Sequence, residues 1–507
     1  MILLRRHLLA LATAALAPFP ALAETAGTLT LGIARDIQGA LDPATRLSAI
    51  ETNILKAVCP GLIAFKPGSF DWQPALAATI APEGETVIAF TLREGLQFHG
   101  GFGPVTAADV KFSFERFRTP GPDGRLPTYA ADWEALDHVE VTGPLSGRIH
   151  LKAPAPMLWR TVLPDGSGCI ISRAALEQGA YRADQPPLRV IGAGAYRFAE
   201  WVPNQRIVLQ GDAAAPFPQI VLRPVRDPRA AELALQANEV QFTAIDPQNV
   251  AVVGRQARTT VRRQDSINMV WLGLNVAHPK LSDPRVRQAI RAAIDGDQLV
   301  EGAWNGSVAR ADSPIAPGLL GFWKDAPHRA ADAAAARRLL AEAGVAGLRL
   351  KLTLLNQPAY QQAGVILQAM LAEAGIGIDL DIQDGGAFWS AGSGAAGAAL
   401  ELSLQRFGGK ADPAFQLQWF LASQIGEWNW QRWADPEFDA LLHRAAATGD
   451  DATRARLYVE AQQRMDASAA FVWLTHEAAA FGFRDWLRPA VLPNGDDLSL
   501  DQFARTA

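Results

Sequence analysis

The residues of this chain best suited to chemistry are eight histidines, two cysteines and a group of tryptophans. Their spacing decides what they can do. His7, His99, His138, His150, His278, His328, His443 and His476 are scattered, and none stands four residues from another with a glutamate between, as a helical zinc site needs. His99 is the best single candidate because it lies in a glycine-rich loop. A structural part in that loop is a simpler expectation for it than metal ligation. Gly166-Ser167-Gly168 resembles a fragment of a nucleophile turn, but it lacks the Gly-x-Ser-x-Gly spacing and the strand-to-helix context that expose such a serine. No phosphate-binding Gly-x-x-x-x-Gly-Lys-Ser/Thr loop is present. With no nucleophile–base pair and no metal cluster, an enzyme is disfavoured and no cofactor is expected. Trp419, Trp428, Trp430 and Trp433, with Trp389 as a weaker case, are the most unusual local composition. They read either as helix-to-sheet core or as a ring-lined wall that stacks on a ligand.

The first 23 residues read as an export leader. Arg5 and Arg6 form a basic start, Leu8 to Leu16 an apolar core, and Ala21-Leu22-Ala23 a small-residue cleavage site. The apolar core is too short for a permanent membrane span. Export to the periplasm is expected, by the general secretory route or, given the arginine pair, by the twin-arginine route. No cysteine near the cleavage site offers a lipid anchor. Losing the leader removes two positive charges and moves the formal net charge from −5 to −7, which argues against a nucleic-acid partner. In an oxidising compartment Cys59 and Cys169 either pair or remain buried thiols, and spacing alone does not choose. At 507 residues the chain is long enough for more than one domain.

The elements that must position these residues alternate between strand and helix. Thr28 to Ala34 alternates as a first strand, and a helix runs from about Ser48 to Val58. Val87 to Leu92 is a short strand, followed by a loop broken at Gly95, Gly100, Gly101 and Pro104. A helix then opens at Thr106, with Asp109 three residues on as a loose capping box. Further strands are expected at 139–142, 148–151 and 206–210, with a strand entry over 191–201. At Ile191-Gly192-Ala193-Gly194 the glycines would let the chain turn tightly into its strand. Met269 to Asn275 is a strand, and Asp283-Pro284 opens a helix with Val286, Ile290 and Ile294 on one face. Strand 349–355, helix 360–374 and strand 376–383 form a parallel βαβ unit. Ser390 to Ala399 reads as an exposed loop, Leu400 to Phe407 as a strand, and Asp435-Pro436 as another helix start.

Four of these stretches, in this order, carry a resemblance. Trp72-x-Pro74-Ala75-Leu76-Ala77, Phe90-Thr91-Leu92-Arg93-Glu94-Gly95-x-x-Phe98-His99 and Thr106-Ala107-x-Asp109-Val110-Lys111-Phe112-Ser113-Phe114-Glu115-Arg116 form the first. Gly192-x-Gly194-x-Tyr196, Asn268 to Asp295 and Ala434 to Leu442 follow. Together they closely resemble the bacterial peptide/nickel extracellular solute-binding family. The resemblance implies an α/β, two-lobed type II periplasmic-binding fold with an extra subdomain inserted in the first lobe. The expected division is lobe I over 24–270 with an insertion at about 55–180, lobe II over 271–476, and a return to lobe I over 477–507. Crossings are expected near Asn268–Gly273 and Thr475–Phe481, with a solute trapped by hinge closure. It also implies a monomer that meets the membrane only through the permease and ATPase of an ABC importer. The alternatives are delivery to a chemoreceptor or a chaperone role.

The same resemblance locates a ligand site. In peptide-binding relatives an Asp in an Asp-x-x-Asp-Pro loop holds the ligand's α-amino group. The corresponding stretch here is Leu404-Gln405-Arg406-Phe407-Gly408-Gly409-Lys410-Ala411-Asp412-Pro413, with Gly409 at the amine-binding position. Pro60 stands where the family often has a Glu. Arg406, Phe407, Gly409, Lys410, Asp412, Trp389, Trp428 and Arg35 are the expected ligand-binding residues. An ordinary peptide held by its amino terminus is disfavoured, and an anionic or neutral polar group facing Arg406 or Lys410 is expected instead. A sugar or a metal chelate is the further alternative; the nickel branch is less favoured because no histidine cluster is visible.

Overall fold

The computed structural model describes residues 27–121, 124, 126–180, 190–246, 249–394 and 396–506, so the expected leader lies outside the described residues. Two mixed sheets form the frame. The seven-stranded sheet runs, edge to edge, Thr259–Asp265, Ala478–Arg484, Phe242–Ile245, Thr28–Ile33, Gln219–Pro224, Arg206–Gly211 and Tyr196–Val202. Its central strand Thr28–Ile33 pairs in parallel with both neighbours. The five-stranded sheet runs Gly377–Gln383, Arg349–Leu355, Leu402–Phe407, Met269–Leu274 and Phe471–Thr475. The expected βαβ unit is present, its helix at Pro358–Glu373 and its strands parallel.

Met269–Leu274 shows why one sheet can be read from sequence. Every residue of this strand is buried. Val270, Leu272 and Leu274 pack into one core, while Met269 and Trp271 pack into a second core on the opposite face. A strand covered on both faces loses the polar alternation of a half-exposed strand. The following helix, Pro284–Ala292, is capped by Asp283, whose carboxylate accepts from the Arg285 N–H at 2.8 Å. Val286 and Ile290 are buried on its core side, and Ile294, just beyond its last turn, joins the same core. Helix Ala333–Glu342 ends before Gly344, whose φ of 69° is left-handed, as a terminating glycine requires.

A four-stranded antiparallel sheet, Ala77–Pro82, Val87–Leu92, Ser146–Leu151 and Leu136–Val141, carries its own core. That core draws residues from Ala44 to Ile170. Helix Ala107–Glu115 covers it and opens on the expected box: the Thr106 N–H and hydroxyl both donate to Asp109 Oδ2, at 3.0 and 2.7 Å. His99 is structural here. Its ring shares a hydrogen bond with Gly194 O at 2.9 Å and its N–H donates to Gly192 O at 2.9 Å, which ties the first motif to the second. The glycines of the second motif differ from expectation in their reason. Neither has a positive φ; a Cβ on Gly192 would lie 2.0 Å from Val58 O, and one on Gly194 2.2 Å from Ala57 O. They permit close approach to the end of helix Ala49–Val58 rather than a tight turn.

The stretch expected as an exposed loop at 390–399 is partly ordered, with a 3-10 turn at Ala396–Ala399 and Gly397 packed against Gly392. Cys59 and Cys169 are both buried free thiols in the seven-stranded sheet's core. Burial raises both pKa values, that of Cys169 to about 12. Among the described residues no helix is long and apolar enough to cross a membrane.

Candidate functional site: the cleft between the sheets

The chain passes between the two large sheets twice, at Ser266–Asn268 and at His476–Glu477. These passages are tighter than the sequence suggested, because Met269 and Ala478 already belong to strands. They touch each other: the Ser266 N–H donates to Glu477 O at 3.3 Å. Glu477 has φ 58°, a left-handed conformation that costs a non-glycine residue about 1–2 kcal/mol. Its side chain is fully engaged, with Oε1 accepting from the Tyr360 hydroxyl at 2.7 Å and Oε2 from Arg406 Nε at 2.8 Å. Burial, with Glu477 beside it, keeps the Tyr360 phenol protonated. Burial works against the Arg406 charge, but Glu477 and Tyr360 outweigh it and raise its pKa. Burial lowers His476 to about 4, so this passage carries no titrating imidazole near neutral pH.

Strand Leu402–Phe407 delivers Arg406 to the hinge and opens the loop 408–412. Asp412 closes this loop. It is fully buried, caps helix Pro413–Leu417 by accepting from the Ala414 N–H at 3.0 Å, and pairs at 2.6 and 2.9 Å with the equally buried Arg454. Asp412 therefore fixes the loop and offers no surface to a solute. Gly409 is filled from behind: a Cβ there would lie 2.2 Å from Gln416 Nε2 and 2.7 Å from Ile267 O. Gln416 is itself buried and donates to Ile267 O at 3.0 Å. Position 409, where the resemblance led us to expect an aspartate in other members, is thus backed by a neutral amide from the next helix.

Lys410 reaches across the cleft to Asp132, at 3.3 Å, in the 3-10 turn Ala130–Trp133. Asp132 is held from behind by the Ser167 hydroxyl at 2.5 Å, and Ser167 in turn accepts from Arg46 at 3.1 Å. Ser167 is fully buried and accounted for by these bonds. Nearby, burial opposes the charge of Asp165, but Arg46, Lys56 and Lys410 hold its pKa below the usual range. A second cross-cleft pair joins both Arg160 nitrogens to the two oxygens of Asp451, at 3.2 and 2.8 Å. Phe65 packs with Ala411 and Leu492, and Phe70 with the five-stranded sheet's aromatic core. The lobes are in contact along this line.

The tryptophans divide by burial. Trp430 and Trp433 are core residues. Trp389, Trp419 and Trp428 surround Phe407 with centroids 5.8–6.4 Å away. Phe407 is the buried hub, while Trp428 keeps 37% of its surface exposed. From Trp419 the ring series continues through Phe415 to Lys410, whose ammonium lies 5.3 Å from the Phe415 centroid.

Arg35 follows strand Thr28–Ile33 and is exposed on a rigid turn. Asp36 accepts from Trp201 Nε1 and the Asn204 N–H, at 3.0 and 2.6 Å, and the buried Glu51 accepts from the Gln38 and Gly39 N–H groups at 2.5 and 2.9 Å. The structure thus sets Arg406 at the hinge passage and Gly409 and Lys410 in the loop that meets Asp132, puts Arg35 on an exposed turn after the first strand, and leaves Asp412 and Phe407 buried. Asp132, Gln416 and Glu477 were not foreseen. Of these only Glu477 had a signal, its place in an expected crossing.

Residues 71–453 match the family model for the middle region of bacterial extracellular solute-binding proteins, family 5. The chain belongs to this family. Family 5 proteins of known name lie at moderate distance. The chain is 28% identical over 454 residues to a glutathione-binding protein of Pectobacterium atrosepticum, with 86% of each chain covered. It is 27% identical over 451 residues to di/tripeptide-binding protein 2 of Pseudomonas aeruginosa, covering 82% of this chain and 83% of that one. The structure of HbpA2 from Haemophilus parasuis superposes with a TM-score of 0.84 at 23% identity, covering 95% of this chain and 100% of that chain. The fold is the two-lobed type II periplasmic-binding fold of family 5, whose members are solute-binding components of transport systems.

Proposed function

We propose that this family 5 protein captures a peptide or peptide-like small solute between its lobes and delivers it to the permease and ATPase of an ABC importer. It acts in the periplasm as a monomer after removal of residues 1–23, and has no catalysis of its own. The observation that carries this reading is the pair of short passages at 266–268 and 476–477, closed over by Lys410–Asp132 and Arg160–Asp451. Two lobes joined by short crossings and bridged by ion pairs at their rim suit trapping a solute, and hinge closure is the standard device for doing so. The names of the relatives, a glutathione-binding and a di/tripeptide-binding protein, supply the solute class.

The chemistry of the loop narrows that class. The expected anion facing Arg406 or Lys410 loses its support, since Arg406 is bonded to Glu477 and Lys410 to Asp132. Gln416 also closes the position from which a relative's aspartate would reach an ammonium. A solute of balanced charge that also meets the exposed ring of Trp428 fits best. Native mass spectrometry of the protein purified from its own periplasm tests this. A retained mass that fragments as a peptide or peptide conjugate is the expected result; a retained carbohydrate or metal chelate would overturn it.

A further inference from the structure

Loop 493–498 sits against both passages and the first helix. Ser266 Oγ donates to Asn494 O at 3.4 Å, and a Cβ on Gly495 would lie 2.6 Å from the Ala479 Cβ. Asn53 brackets the loop by donating to Asp496 O at 3.2 Å and accepting from the Leu498 N–H at 2.9 Å. Lys56 lies 3.8 Å from Asp497. The backbone around Asp496 is therefore fixed, yet its side chain is exposed and makes no hydrogen bond or ion-pair contact among the described residues.

Asp496 is open to solvent on this fixed loop, with charged groups of the hinge around it. Burial raises its pKa, as does the charge of Asp497; Arg406 and Arg35 pull it down, and Glu477 adds to the rise. The loop that carries it packs on both passages, so this exposed carboxylate stands beside the hinge. Arg35 shares that setting as a second unengaged charge of opposite sign, making no hydrogen bond or ion pair with a described residue. Arg406 and Glu477, already bonded to each other, stand near them. Charged groups held on fixed backbone without a hydrogen bond or ion pair are placed to take charge-assisted bonds from a ligand.

We propose that Asp496 binds the ammonium group of a zwitterionic, peptide-like solute, the role that position 409 has lost, and that Arg35 binds the solute's anionic group. Amine recognition has thus moved from the lobe II loop to the C-terminal segment packed on the hinge. The assignment rests on the solute being peptide-like. It differs from the earlier expectation in that the peptide's free amine is used, though from a different wall.

Calorimetry with two pools tests it: dipeptides of Ala, Leu, Phe, Ser, Glu and Lys, and the same dipeptides N-acetylated. Wild type should bind members of the free-amine pool, and Asp496→Asn should weaken them roughly ten- to a hundredfold, the range of a lost charge-assisted hydrogen bond. Any acetylated member that binds should be unchanged. Arg35→Gln gives an independent reading, weakening free-carboxylate members but not their C-terminal amides. If wild type binds free-amine dipeptides and Asp496→Asn binds them equally well, the ammonium assignment is overturned while the peptide reading stands. If wild type binds no member of the free-amine pool, both fall.

Discussion

Two walls of the same cleft are built on opposite principles. The charges of the lobe II loop 408–412 are all paired: Asp412 with buried Arg454 and Lys410 with Asp132, while Gln416 fills the space behind Gly409 and leaves only its Oε1 without a partner among these groups. The hinge-side wall keeps Asp496 and Arg35 on fixed backbone with no hydrogen bond or ion pair among the described residues. A paired wall supports shape and closure, whereas an unpaired one waits for a ligand. Family resemblance directs attention to the first wall, but the physics of unpartnered charge points to the second.

The paired wall breaks hardest at Asp412. Asp412→Ala strands a fully buried guanidinium and removes a helix cap, so unfolding in denaturant should show a loss of about 3–5 kcal/mol. Asp412→Asn, which keeps the cap but not the charge, should fall between that variant and wild type. A loss under 1 kcal/mol would mean that Arg454 finds another partner. Gly409→Asp comes next. A simple missing carboxylate would be restored by it, but a filled site would not. The expected outcome is overpacking against Gln416, costing about 1–3 kcal/mol, with no gain in affinity for free-amine dipeptides. A gain would show that the position is open after all. The smallest effect concerns closure. A double-mutant cycle of Lys410→Gln and Asp132→Asn, read by dipeptide affinity, should give a coupling of about 0.2–1 kcal/mol that shrinks with added salt. Additive effects would remove this pair from the closing contact.

Much of the frame was legible in sequence because it is local. The βαβ unit at 349–383, the buried strand Met269–Leu274 and the Asp-Pro helix starts at 283 and 435 each rest on periodicity or capping within a few residues. Gly192 and Gly194 were legible as special but for the wrong reason, since their constraint comes from carbonyls of residues 57 and 58. The site was less legible because its logic is long-range. Lys410 is answered by Asp132, 278 residues away, and nothing in either stretch announces the other. Arg406 read as a free cation until the hinge placed Glu477 on it. Asp496 lies in a plain Asn-Gly-Asp-Asp turn sequence, and only its position against two hinge passages gives it meaning.

The claim that amine recognition has moved to Asp496 is tested most directly by following that carboxyl group through a pH titration, by carbon NMR, with and without bound dipeptide. In the free protein its pKa should lie above the ordinary aspartate value, because burial and the charge of Asp497 favour the protonated form. A raised carboxyl pKa in the folded state weakens the ligand-free protein as pH rises through that pKa, and the penalty fades as pH falls. Binding a solute ammonium should drive the value down, while an N-acetylated dipeptide should leave it in place. An Asp496 titration that does not respond to a bound free-amine dipeptide would contradict the account.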